Sequence, residues 1–312
     1  MAIATPNQTA LLRDLEPTVE ALLNRHLSMA RDWNPHEYVP WDEGRNFATM
    51  GGEDWAPDQS RLTEVAKVAM VTNLLTEDNL PSYHREIAGS FSRDGAWGTW
   101  VNRWTAEENR HGIVIRDYLT VTRAVDPVQL EQFRMQHMTT GLSSPLDESF
   151  LHSVTYVTFQ ELATRLAHRN TGRVCADDVA GRMLDRVAAD ENLHMVFYRS
   201  LADAALDIAP DATMDAITEV VVRFRMPGMS MPNFRRNAVL LARHGVYDLR
   251  QHLDEVVWPV LKIWKVFDRT DLGPVGEQAR ERLATHLDEL DRAARRSEET
   301  RERLRAREAE RA

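Results

Sequence analysis

Two glutamate–histidine pairs stand one helical turn apart in this chain, Glu108-Asn-Arg-His111 and Glu191-Asn-Leu-His194. Each follows another glutamate at nearly the same interval: Glu77 lies 31 residues before Glu108, and Glu161 lies 30 before Glu191. Four carboxylates and two imidazoles in that order are the ligand inventory of a carboxylate-bridged di-iron site inside a four-helix bundle. The order therefore predicts an all-α, ferritin-like fold with additional flanking helices.

With 11 histidines in 312 residues, one such pair proves nothing. Placement separates these two from accident. Trp97, Val101, Trp104, Glu108, His111, Ile115 and Tyr118 recur at steps of three and four, which marks one face of an amphipathic helix. The same steps run through Leu184, Val187, Glu191, His194, Tyr198 and Leu201, and through Phe150, Val154, Val157, Glu161, Thr164 and His168. Charged groups on an apolar stripe are costly unless paired or metal-bound. A helix with one glutamate followed by a helix with the pair occurs twice, so an approximate two-fold axis would gather six ligands around two metals. Ligating histidines commonly donate their second ring N–H to a carboxylate. Asp190, beside Glu191, is the candidate for His111, and Asp78, beside Glu77, is the pseudo-symmetric candidate for His194.

The ligand helices are expected at about 60–89, kinked by Pro81, at 94–124, at 146–169 with a stop at Asn170-Thr-Gly172, and at 177–208. A helix precedes them from Thr9 to Met29, after a frayed start. Shorter helices follow at Met214–Phe224, Phe234–Arg243 and Leu249–Phe267. Gly141-Leu-Ser-Ser-Pro145 reads as a breaker and Met226-Pro-Gly-Met-Ser-Met-Pro232 as a flexible loop. Residues 276–312, rich in Glu, Arg and Ala, read as a solvated, partly frayed helix. No linker divides the chain, which predicts one domain over residues 1–312.

Composition excludes several classes. A net charge of −10 argues against nonspecific nucleic-acid binding. The single cysteine, Cys175, excludes an internal disulfide or cysteine metal cluster and fits a cytoplasmic setting. No stretch of 18 apolar residues and no signal segment is found, so no transmembrane segment is expected. No two histidines are closer than eight residues, which excludes the histidine boxes of membrane-embedded desaturases.

Leu75-Thr-Glu-Asp-Asn-Leu-Pro-Ser-Tyr83, Trp104-Thr-Ala-Glu-Glu-Asn-Arg-His111, Phe159-Gln-Glu-Leu-Ala-Thr164 and Ala189-Asp-Glu-Asn-Leu-His194 resemble the four motifs of the soluble acyl-acyl-carrier-protein (acyl-ACP) desaturases, most closely the actinobacterial branch. The resemblance extends through Trp33-Asn-Pro-His-Glu-Tyr-Val-Pro40, His168-Arg-Asn-Thr-Gly172, Met226-Pro-Gly228 and Gly245-Val-Tyr247, covering about residues 11–270. It implies a homodimeric enzyme with two iron ions per chain. Such enzymes introduce a cis double bond into a fatty acyl chain carried on acyl carrier protein, using dioxygen and electrons from reduced ferredoxin or a similar donor. By motif position the ligands are Glu77, Glu108, His111, Glu161, Glu191 and His194, and Thr164 lies near the oxygen site. Trp33, Asp190 and His111 match a hydrogen-bonded path for electron entry. Ala167 departs from relatives that carry serine there, and the segment between the second and third ligand helices is short, which bears on chain-length selectivity.

An acidic chain meeting an acidic carrier protein needs a local basic patch. Arg223, Arg225, Arg235 and Arg236 surround the methionine-rich loop, with Arg25 and Arg31 as the alternative. Competing readings are a ferritin-like storage subunit, a ribonucleotide-reductase small subunit and a non-catalytic carrier-protein binder.

Overall fold

The chain's apolar stripes can be satisfied only by helix-on-helix packing, and the architecture follows. A computed structural model describes residues 7–141, 149–226, 231 and 233–310. Among them the long helices are α1 (Gln8–Met29), α2 (Glu64–Asp78), α3 (Leu80–Ser90), α4 (Gly95–Val121), α5 (Pro127–Thr140), α6 (Phe150–Cys175) and α7 (Asp178–Ile208). They continue with α8 (Pro210–Arg223), α9 (Phe234–Arg243), α10 (Leu249–Gln251), a π-helical segment (His252–Val257), α11 (Trp258–Ile263) and α12 (Pro274–Ala309).

Four of these form a closed ring: α2 packs on α4 and α6, and α7 packs on the same two. This is the four-helix bundle, and each of its helices carries ligand candidates. α1 lies across α4 and α7, while α8 covers α6 and α7 and is itself covered by α12. Helix starts follow capping chemistry: Thr63, Ser149 and Asp177 each accept backbone N–H bonds from the first turn of the helix they precede.

The first ligand helix departs from a simple kink. Pro81 sits in the first turn of α3, where its missing N–H costs nothing, and the chain breaks fully at Asn79. The expected stop at Asn170-Thr-Gly172 is not one, since α6 continues to Cys175. Asn170 donates to the Val246 carbonyl at 3.0 Å, and the Thr171 hydroxyl accepts from Asn73 at 3.1 Å. Gly172 faces Gly181 on α7, where an added Cβ would make ordinary van der Waals contact at 3.4 Å.

The C-terminal segment is also packed rather than loose. Ala279, Leu283, Leu287 and Ala294 of α12 are buried, and the Thr218 hydroxyl of α8 donates to the Ala279 carbonyl at 3.0 Å. The helix expected at Leu249–Phe267 is interrupted by the π-helical segment and ends at Ile263. The frayed start (residues 1–6), most of the Gly141–Pro145 breaker with the onset at 146–148, and most of the methionine-rich loop lie outside the described residues.

Candidate metal centre

The six predicted ligands converge. Donor atoms of Glu77, Glu108, His111 and Glu191 all lie within 4.8 Å of one another, as do those of Glu108, Glu161, Glu191 and His194. Glu108 and Glu191 belong to both sets, so each could serve either half of a two-cation site. Glu77 with His111 completes one half, and Glu161 with His194 completes the other. Every one of the six is buried.

Their unsatisfied atoms show what the pocket is built for. Glu108 Oε1, His111 Nδ1, Glu161 Oε2, Glu191 Oε1 and His194 Nδ1 are buried without hydrogen-bond partners. Buried polar atoms are normally satisfied, and these converge on one space, so the donor set fits a pair of cations. Electrostatics agree. Burial disfavours charge on His111, but Glu108, Asp190 and Glu191 outweigh it and raise the imidazole well above its ordinary value. His194 is raised likewise, against burial, by Glu108, Glu107 and Glu161. Burial and the neighbouring Glu191 and Glu108 carboxylates push Glu161 well up. Four carboxylates this close repel one another and favour a positive charge among them.

Outer groups fix the ligands. Trp33 Nε1 donates to Asp190 Oδ2 at 2.7 Å, and Asp190 Oδ2 lies 3.5 Å from His111 Nε2. The Trp33 ring is stacked nearly parallel to His111, 10° between planes. Burial opposes charge on Asp190, yet His111 and Trp33 hold its carboxyl below the usual range. The expected partner of His194 is corrected. Asp78 is held by Arg134 at 2.5 and 2.9 Å, and Glu107 Oε2 lies 2.9 Å from His194 Nε2 instead. The same Glu107 oxygen lies 2.9 Å from His26 Nε2, and Arg103 donates to Oε1 at 2.6 Å. Asp78 lies next to Glu77 in sequence, but the arginine on α5 takes its carboxylate.

Sequence reasoning also missed the partners of the terminal carboxylates. His168 Nε2 lies 2.9 Å from Glu77 Oε1, with Asn73 3.1 Å from His168 Nδ1. Trp104 Nε1 donates to Glu161 Oε1 at 3.1 Å. Both stood on the apolar stripes already described, so the signal existed. The Thr164 hydroxyl lies 2.8 Å from Glu191 Oε2 and 3.1 Å from the Gln160 and Glu161 carbonyls.

Beside Glu77, Thr164 and His168 opens a cavity of about 140 Å³. Its walls are mostly apolar, with Met226, Met231, Phe234, Ala238, Leu241 and Val246 among them. Ala167, the position that departs from serine-bearing relatives, also lines it. Arg235 and Arg236 are exposed on α9, the helix that supplies Phe234, Ala238 and Leu241. Arg223 is exposed and lies 3.1 Å from Glu219, Arg225 is exposed, and so are Arg25 and Arg31.

A ferritin-like bundle with two overlapping carboxylate–histidine sets beside an apolar cavity defines the dimetal oxidoreductases. Within that class, a family model described as fatty acid desaturase matches residues 7–312, and the chain belongs to this family. The match includes the C-terminal helix, beyond the limit near residue 270 expected from motifs. The chain is 54% identical over 306 residues to the acyl-[acyl-carrier-protein] desaturase DesA1 of Mycobacterium tuberculosis strain H37Rv, covering 96% of this chain and 90% of that protein. It is 29% identical over 313 residues to the chloroplastic stearoyl-[acyl-carrier-protein] 9-desaturase 1 of Oryza sativa subsp. japonica, covering 94% and 82%. The X-ray structure of the acyl-ACP desaturase DesA2 from M. tuberculosis H37Rv superposes with a TM-score of 0.71 at 30% identity, covering 86% of this chain and 99% of that one. Among the described residues no helix is long and apolar enough to cross a membrane.

Proposed function

We propose that this chain is a di-iron acyl-ACP desaturase that introduces a cis double bond into a carrier-bound fatty acyl chain. The observation that carries the reading is the apolar cavity whose inner wall includes the ligand Glu77, its partner His168 and Thr164. The iron ligands would be Glu77, Glu108, His111, Glu161, Glu191 and His194. A storage subunit has no use for such a cavity, and a ribonucleotide-reductase subunit has no use for an acyl chain.

Removing hydrogen from an unactivated methylene is beyond any side-chain acid or base. Two iron ions, when bound, supply that oxidising power by reducing dioxygen with two external electrons. The balance is one CH₂–CH₂ unit, O₂, two electrons and two protons giving CH=CH and two waters. The protein's part is positioning. Glu108 and Glu191, shared by the two donor sets, would help hold both ions, and carboxylates suit hard iron. His168 and Trp104 fix the terminal carboxylates, and Asp190 and Glu107 fix the imidazoles. The apolar walls hold the acyl chain beside the site and exclude water from it. Thr164 holds a hydroxyl proton between Glu191 and the cavity, placed to govern oxygen chemistry.

Trp33 and Asp190 form the route for electrons from a ferredoxin-like donor, since the indole is hydrogen-bonded to the carboxylate that faces His111. Carrier-protein docking falls to Arg235 and Arg236, because α9 presents them on the helix that walls the cavity. Arg223 and Arg225 extend the patch. The protein acts as a single domain in a cytoplasmic homodimer.

The test is a single aerobic turnover of the reduced protein with an acyl-ACP substrate, followed by mass spectrometry of the acyl group. Loss of two hydrogens is expected. Oxygen consumption with an intact acyl chain would refute the assignment. Reversing Arg235 and Arg236 to glutamate should raise the apparent KM for acyl-ACP, most at low salt, with iron content unchanged. Unchanged kinetics at low salt would move docking to Arg25 and Arg31.

A further inference from the structure

Arg110 occupies the second variable position of the first Glu-x-x-His pair, where the other pair has Leu193. It points away from the ligands and is only 20% exposed. Its Nη2 lies 3.4 Å from Asp190 Oδ2 and 3.8 Å from Glu107 Oε1. Its Nη1 donates to the Trp33 carbonyl at 3.2 Å, and the guanidinium carbon sits 4.9 Å over the Trp33 ring. Asp190 faces His111, and Glu107 faces His194. One cation thus lies between the two carboxylates that orient the two ligand imidazoles.

The neighbouring arginines behave differently. Arg103 reaches Glu107, and Arg186 reaches Asp190 Oδ1; each serves one carboxylate. One guanidinium nitrogen, Nη2, faces both carboxylates while Nη1 holds the Trp33 carbonyl, so the fork ties the two acids to the tryptophan segment.

We propose that Arg110 is a positioning residue that couples the two halves of the metal centre, holding Asp190 and Glu107 in register while clamping Trp33 over His111. The proposal rests on the dimetal reading of the site. Removing the cation would take away the one charge that both outer carboxylates share, so both would pull harder on their imidazoles and both metal sites would respond together. Loss of Arg103 or Arg186 would be felt on one side only.

The experiment loads metal-free protein with Co²⁺ and records the hyperfine-shifted, solvent-exchangeable imidazole N–H resonances, which sense the hydrogen bond to the outer carboxylate. Wild-type protein should give two such signals. They are assigned by Arg103→Gln, which should displace the His194 signal alone, and Arg186→Gln, which should displace the His111 signal alone. Arg110→Gln should displace both. Should that variant fold poorly, Arg110→Met, which also removes the cation, carries the same expectation. Displacement of one signal or neither in a folded Arg110 variant overturns the proposal. A wild-type protein that binds no Co²⁺ would fail differently, by refuting the metal centre on which the proposal stands.

Discussion

Replacing Glu107 with glutamine removes one negative charge from between two imidazoles and keeps the side chain's shape. In the structure its Oε2 stands 2.9 Å from both His194 Nε2 and His26 Nε2, while Oε1 takes the Arg103 N–H at 2.6 Å. The carboxylate makes His194 a stronger donor and fixes which nitrogen faces the metals. An amide does neither well, and one of its ends must present N–H groups to Arg103 or to the imidazoles. Loss of such an outer partner typically weakens metal binding by roughly 10- to 100-fold. At about 1.4 kcal/mol per tenfold, that is about 1.4–2.8 kcal/mol. The loss should fall on the site completed by Glu161 and His194. The appropriate control is Asp78→Asn, because Asp78 is engaged by Arg134 and faces neither imidazole as a partner. Anaerobic calorimetric titration of metal-free protein with Fe²⁺ should show one weakened step for Glu107→Gln and none for Asp78→Asn. Two unchanged steps in the first variant, or a weakened step in the second, would refute the assignment of Glu107 as the His194 partner.

Thr164→Val should leave metal loading intact but lower product formed per electron consumed, since it deletes the hydroxyl on Glu191 while keeping volume; unchanged coupling would return Thr164 to a packing role. Leu283→Ala in α12 should cost about 2.7–5 kcal/mol in urea denaturation, because Leu283 is fully buried; a loss below about 1 kcal/mol would mean that α12 is not held against α8. His252 is buried, and burial together with His286 depresses its pKa to about 4. Unfolded histidine titrates near pH 6.5 and so takes up a proton first. Stability is therefore complete above about 6.5 and declines as pH falls toward 4, by up to roughly 3 kcal/mol. His252→Gln should flatten this limb when denaturation midpoints at pH 7 and pH 5 are compared.

The six ligands were legible because a carboxylate on an apolar stripe violates the local pattern, and the violation repeats at matched intervals. Asp190 followed from its place beside Glu191, and Trp33 from the motif resemblance. The partner of His194 was misread for a specific reason. Glu107 precedes Glu108 as Asp190 precedes Glu191, so the doublets Glu107-Glu108 and Asp190-Glu191 were the true symmetric pair. Asp78 imitated that adjacency on a helix without a histidine. The continuation of α6 was hidden because Asn170, Thr171 and Gly172 are poor helix formers, and the first two are used here for long-range bonding. In α12 the buried stripe is two leucines flanked by two alanines, which carries too little hydrophobic contrast to stand out in a charged segment. The cavity had no local signature, since its walls come from α2, α6, α9 and the Val246–Tyr247 turn.

The orienting acids are exchanged between the halves of the molecule: Glu107 on α4 serves His194 on α7, and Asp190 on α7 serves His111 on α4. A nascent chain that has emerged only as far as α4 therefore holds three of the six ligands, and its own histidine still lacks its acid. Tight capture of metal is deferred until α7 has been synthesised and docked in the correct register against α4. Because a site absent from the unfolded chain ties metal affinity to folding, loading becomes a late event that reports completed assembly. A redox-active metal would thereby stay off the chain during translation, when its methionines are still exposed to oxidation.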